Sequence, residues 1–178
     1  MDLLPFNDSD DLFSISGTLR WIGNILAAEY IVRGPLQNIR GLSNRTDPSL
    51  RADELWKTTC FEWFLKPASG EAYWEANFSS AGDWNLYHLE GYRKNLRPEL
   101  KISSLDLIAE KFPTEWRLNT RIDFSGLALP AGMSFQAHLS AVIETVDDKK
   151  NYWSLRHSQK KPDIHHPDHF ILEIQKES

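Results

Sequence analysis

Ala72-Tyr73-Trp74-Glu75-Ala76-Asn77-Phe78-Ser79 changes character at every step. Trp74, Ala76 and Phe78 fall on one side of an extended chain, and Tyr73, Glu75, Asn77 and Ser79 on the other. Such alternation belongs to a strand, whose successive side chains leave opposite faces; a helix would repeat its apolar positions every three or four residues. The same beat recurs on both sides of this stretch. Phe13, Ile15, Leu19 and Trp21 share a face, as do Trp116, Leu118, Thr120, Ile122 and Phe124, and again Phe135, Ala137, Leu139, Ala141 and Ile143. Thr59-Cys60-Phe61-Glu62-Trp63-Phe64-Leu65, Tyr152-Trp153-Ser154-Leu155 and Phe170-Ile171-Leu172-Glu173-Ile174 supply further strands. Between them stand turn formers such as Lys66-Pro67-Ala68-Ser69-Gly70, Ser80-Ala81-Gly82-Asp83 and Leu129-Pro130-Ala131-Gly132.

This pattern predicts an all-β, two-sheet antiparallel β-sandwich with long edge loops. Residues 103–112 read either as one short helix opened by a serine cap or as another strand. Residues 43–54 read as a long polar loop with a helical turn around 49–54, and loops of that length are often functional. No internal repeat, low-complexity tract or linker interrupts the chain, so a single domain over residues 1–178 is expected.

Composition narrows the function. The 178 residues carry a net charge of −5 and no Lys/Arg block, which argues against a general nucleic-acid binder. No stretch approaches the ~20 apolar residues needed to span a bilayer, so no membrane partner is expected. Met1-Asp2-Leu3-Leu4-Pro5-Phe6-Asn7-Asp8 has neither a basic n-region nor an apolar h-region, and Cys60 is the one cysteine. A cytoplasmic, reduced protein is therefore expected. The unusual quantity is the aromatic load of 7 Trp, 5 Tyr and 9 Phe. It fits a dense core, an aromatic binding surface, or both.

Three constellations stand out. In Trp56-Lys57-Thr58-Thr59-Cys60-Phe61-Glu62-Trp63-Phe64, alternation puts Cys60, Glu62 and Phe64 on one face and Phe61 and Trp63 on the other. A carboxylate in such company must be hydrogen-bonded or face a cleft. Trp56 at the strand's mouth with Glu62 on its face would suit a sugar, the indole packing on a pyranose and the carboxylate accepting its hydroxyls. The competing reading is a core tryptophan with Glu62 paired to an arginine. The second constellation is Tyr73-x-Glu75-x-Asn77-x-Ser79 followed by Gly82-Asp83-Trp84, Tyr87 and Gly91-Tyr92-Arg93, a polar strand face that is either a site or merely solvated. The third holds four of the six histidines: His157, then Asp163-Ile164-His165-His166-Pro167-Asp168-His169. Imidazoles and carboxylates ligate transition metals, which makes His157, Asp163, His165, His166 and His169 candidate ligands. Their spacing matches no zinc signature, and histidines bonding loop backbone explain them equally well.

Catalytic motifs are missing. No P-loop, dinucleotide fingerprint or His-Glu-x-x-His is present, and neither Cys60 nor any serine has the surroundings of a nucleophile. Glu62 and Glu75 form the one carboxylate pair that could serve a glycoside hydrolase. A non-enzyme is expected.

On Leu55-Trp56, Thr59-Cys60-Phe61-Glu62-x-Phe64, Tyr73-x-Glu75-x-Asn77-Phe78-Ser79-x-x-Gly82-x-Trp84-x-x-Tyr87, Tyr92-Arg93, Trp153-x-Leu155-x-His157 and Pro162-Asp163-x-His165-His166-Pro167, the chain resembles a bacterial DOMON-like domain related to carbohydrate-binding module family 9. The resemblance covers roughly residues 10–175. It implies an immunoglobulin-like or jelly-roll-like sandwich that binds a small ligand without transforming it, most simply a sugar or sugar-containing ligand in a Trp-lined cleft. In the sugar-binding relatives two tryptophans clamp the sugar while Glu, Arg and Asn bond its hydroxyls. Trp56 and Glu62 match that pattern, Trp153 would be the second clamp with Asn151 beside it, and Arg93 would be the arginine, with Glu75 and Asn77 as further partners. Other DOMON relatives bind haem through Met with His or Lys, which here points to Met133. A haem- or metal-binding domain is thus one alternative and a structural or protein-interaction sandwich another; the leading reading requires no cofactor.

Overall fold

A computed structural model describes residues 1–7, 12–44 and 49–177. Twelve strands run along it: β1 (Asp2–Pro5), β2 (Ser14–Ile22), β3 (Ile25–Arg33), β4 (Cys60–Pro67), β5 (Tyr73–Ser79), β6 (Trp84–Leu89), β7 (Arg97–Pro98), β8 (Asp106–Lys111), β9 (Glu115–Asp123), β10 (Ser134–Glu144), β11 (Lys150–Ser154) and β12 (Leu172–Gln175). Every pairing between strands is antiparallel. The first sheet orders β1-β2-β3-β9-β8, and the second β7-β6-β5-β4-β10-β11. Strand β1 belongs to both, pairing Leu3 with Ile15 of β2 and Leu4 with Ser154 of β11, so the path curls without a break from one sheet into the other. The expected all-β sandwich is the fold.

The alternating faces decide how the sheets pack. Ile15, Leu19 and Trp21 of β2, Trp116, Leu118 and Ile122 of β9, and Phe61, Trp63 and Leu65 of β4 belong to one buried cluster with Trp74, Ala76 and Phe78 of β5. Aromatic contacts cross the interface: Phe61 stacks on Trp116 at 4.9 Å, and Trp21 lies 5.6 Å from Phe135. The Tyr30 hydroxyl crosses it too, donating to the Glu62 carbonyl oxygen at 2.5 Å. Gly17 marks a close approach, since a Cβ there would stand 3.0 Å from Leu139 Cδ1 of the facing sheet.

Several elements correct the reading from sequence. Residues 103–112 resolve as strand β8, with Leu107 and Ala109 turned inward. Strand β3 was hidden because Ile25-Leu26-Ala27-Ala28-Glu29-Tyr30-Ile31-Val32-Arg33 carries apolar residues at both phases; it lies between β2 and β9 and buries Leu26, Ala28, Tyr30 and Val32. Within the long loop, residues 45–48 lie outside the described residues. The helical turn comes later than expected, as a 3-10 turn at Leu55–Lys57, while Arg51 makes a β-bridge to Trp84.

Candidate functional site

The outer face of the second sheet should be wet in a simple sandwich. Here all seven residues of β5 are buried, on both faces. The cover comes from three connections: the segment before β4, the β6–β7 loop, and the long run between β11 and β12. They leave a cleft of about 590 Å³ over the sheet, a size suited to a small ligand. Trp56, Glu62, Glu75 and Arg93 line it together with Tyr152 and His165.

Register explains why these residues meet. Glu62 of β4 stands between Asn77 of β5 and Ser140 of β10, while Glu75 faces Phe64 one diagonal step away. Ser140 Oγ donates to Glu62 Oε2 at 2.9 Å, and Asn77 Nδ2 donates to Glu75 Oε1 at 2.7 Å. Glu62 is therefore buried and, among the described residues, unpaired with arginine, the outcome that separates a cleft carboxylate from a structural ion pair. Burial pushes its carboxyl up to about 8, the nearby Glu75 charge adds to the rise, and the Ser140 bond only partly offsets it. Burial likewise raises Glu75 to about 7, against the opposing Asn77 bond. The Tyr73 hydroxyl accepts from the Arg93 backbone N–H at 3.3 Å and meets His165 Nδ1 at 2.8 Å. The other ring nitrogen, Nε2, stands 3.9 Å from Glu75 Oε2. Burial, with the Arg93 charge, lowers His165 to about 4 and keeps it neutral.

The rim is built with similar care. Arg51 lies over the Trp84 ring at 4.2 Å and donates to Asn85 Oδ1 at 2.6 Å and to the Ile102 carbonyl. Asn85 Nδ2 and the Tyr87 hydroxyl both donate to Asp53 Oδ1, at 2.8 and 2.9 Å. With residues 51–53 pinned, Glu54 takes a left-handed backbone (φ 59°) and the 3-10 turn sets Trp56 at 5.9 Å from the Tyr87 ring. Across the cleft, Arg93 also has a left-handed backbone (φ 52°) and binds Asp163 at 2.9 Å, with the Tyr92 hydroxyl donating to the same carboxylate at 2.6 Å.

Not every expected residue reaches the cleft. Trp153, expected as the second clamp, is turned between the sheets and is 2% exposed. It pairs with Ala141 of β10 and Pro5 of β1 on the core side, so it is unavailable to a ligand. Asn151 shares that phase and is likewise no cleft residue; the neighbour that points outward is Tyr152, opposite Val142. Asn77 is fully buried and acts through Glu75.

The metal expectation is corrected as well, because each of the five candidate ligands is engaged in hydrogen bonds to other protein groups. His157 Nε2 bonds the Leu4 carbonyl at 2.9 Å, His166 Nε2 meets Gln159 at 2.9 Å, and His169 Nε2 accepts from Ser158 N–H at 3.2 Å. Asp163 is held by Arg93, and His165 by Tyr73. Among the described residues no group of three His, Cys, Asp or Glu is placed to hold a metal. Met133, the expected haem ligand, packs half-buried against the core.

Solved structures share this architecture. The chain shares its β-sandwich fold with solved modules of carbohydrate-binding module family 9. Two such modules from Caldicellulosiruptor kristjanssonii, in complex with glucose and with cellotriose, are 13% and 14% identical, with TM-scores of 0.55 and 0.52. Each alignment covers 93% of this chain, and 77% and 75% of the respective module. A candidate carbohydrate-binding protein from Bacteroides uniformis is 15% identical, with a TM-score of 0.70 over 98% of this chain and 85% of its own. No family model and no curated protein matches the sequence.

Tyr152 and Val142 escaped the sequence reading. The signal was available in β11, where strict alternation allows only one of the adjacent pair Tyr152-Trp153 to face a cleft. The resemblance pointed to Trp153, yet that ring is the one the core takes.

The titrations give a checkable consequence. Glu62 and Glu75 bind protons more tightly folded than unfolded, so their stabilising share is complete below about pH 4.5 and is lost as pH rises through about 7 and 8. His138, His157, His165 and His169, all lowered by burial, act oppositely, and their effect is complete only about one pH unit above 6.5. From pH 6.5 to 8 Glu62 should cost about 2 kcal/mol, partly offset in wild type by the histidines, whose share cancels when wild type is compared with Glu62→Gln. In thermal melts at the two pH values, the change in wild type should be more destabilising than that in Glu62→Gln by on the order of 5 °C.

Proposed function

We propose that this chain is a non-catalytic carbohydrate-binding domain whose ligand lies in the cleft over the second sheet. The observation that carries the reading is the meeting of Trp56, Glu62, Glu75 and Arg93 on one 590 Å³ cleft, from four separate stretches of sequence. A sugar is amphipathic: its ring faces are apolar and its edge is hydroxylated. The half-buried Trp56 and the Tyr152 ring offer surfaces for the faces, and the two carboxyls offer acceptors for the edge. The fold's likeness to modules solved with glucose and cellotriose supports the same reading. No helix of the described residues is long and apolar enough to cross a membrane, and nothing in the cleft calls for a membrane or nucleic-acid partner.

Isothermal titration against a panel of mono- and disaccharides tests the proposal. Saturable binding that is lost with Trp56→Ala is the expected result. Absence of heat with every sugar, confirmed by no shift in melting temperature, would overturn it.

A further inference from the structure

The floor of the cleft is short of positive charge. Glu75 lines the cleft and is 3% exposed, and its buried Oε2 has no hydrogen-bond partner among the described residues. Glu62, on the neighbouring strand and the same face, has the Ser140 hydroxyl on its Oε2. Among the described residues no lysine or arginine is ion-paired with either carboxyl, although the Arg93 charge reaches both from a distance. The guanidinium in the wall, Arg93, is committed to Asp163 at 2.9 Å. Lys161 stands exposed on the rim. His165 presents Nε2 at 3.9 Å but is kept neutral by its burial, and Tyr73, Cys60 and Tyr30, the other titratable groups around the pair, are kept neutral by theirs.

Two buried carboxyls on one floor, one with an orphaned oxygen, can be satisfied by protons or by a ligand that brings both donors and charge. A sugar hydroxyl supplies one donor and no charge. An ammonium supplies three donors and the missing charge in one compact group. The geometry points to an amino sugar as the ligand class, its ammonium lodged between Glu62 and Glu75 while the ring lies against Trp56. This rests on the carbohydrate reading above and adds to it a preference that a neutral sugar would not meet.

The test compares matched sugars by isothermal titration at pH 7: glucosamine and galactosamine against glucose and galactose, and against both N-acetyl forms, which keep the nitrogen but lose its charge. At least one amine should bind about tenfold or more tightly than its neutral and acetylated counterparts. In Glu75→Gln, whose amide oxygen can still accept from Asn77, that ratio should fall to about threefold or less. Glu62→Gln should reduce it independently, with melting curves confirming that each variant is folded. Neutral sugars binding as well as the amines, or a preference that survives both substitutions, would overturn the amine inference and leave the carbohydrate reading standing. No binding by any sugar would overturn both.

Discussion

Replacing Trp153 by alanine is expected to lower the unfolding free energy by about 3–5 kcal/mol. The indole is buried between the sheets at the point where β11 pairs with both β10 and β1. Removing it opens a cavity in a core that Ala141 and the end of β1 cannot collapse to fill. At the scale usual for a chain of this length, the melting temperature should fall by on the order of 10 °C. Trp153→Phe retains most of the apolar area and should recover much of the loss. Because this side chain turns away from the cleft, the Phe variant should bind any ligand as wild type does. Unchanged stability combined with lost binding would instead place Trp153 in the site.

Trp56→Ala should behave in the opposite way. Trp56 is half-buried, borne on a 3-10 turn, and touches the sheet through the edge of Tyr87 rather than from within the main core. Its removal should change melting by only a few degrees. Binding should weaken by about 100-fold, the scale of a central aromatic anchor in a small interface. An aromatic replacement, Trp56→Phe, should restore part of the affinity. Equal affinity in wild type and Trp56→Ala would show that the ring is a lid over Tyr87 and no part of the recognition surface.

These two tryptophans also mark the limit of what the sequence made legible. Alternation correctly separated Phe61 and Trp63 from Glu62, and Trp74 and Phe78 from Glu75, because the direction of a side chain in a strand is a property of the local backbone. It correctly grouped Trp116, Leu118, Thr120 and Ile122, all of which are buried. It failed on β3, where apolar residues occupy both phases, and on the choice between Tyr152 and Trp153, where one step of register exchanges core for cleft. The histidine run misled for a related reason: proximity in sequence put five possible ligands in one loop, yet each side chain is engaged by hydrogen bonds to other protein groups.

What the sequence determined by itself is which side chains stand together on each face of each strand, and hence that the molecule is built of sheets. The tertiary structure decided what covers each face. Only the order β6-β5-β4-β10-β11 brings Glu75, Glu62 and Tyr152 into one row, and only the packing of three distant loops over that row makes a cleft from what would be a solvated surface. Side-chain direction is set by the residue's own dihedral angles, whereas burial depends on whatever chain segment comes to lie above it. That is why the acidic floor was visible as a pattern but recognisable as a site only once the loops were in place.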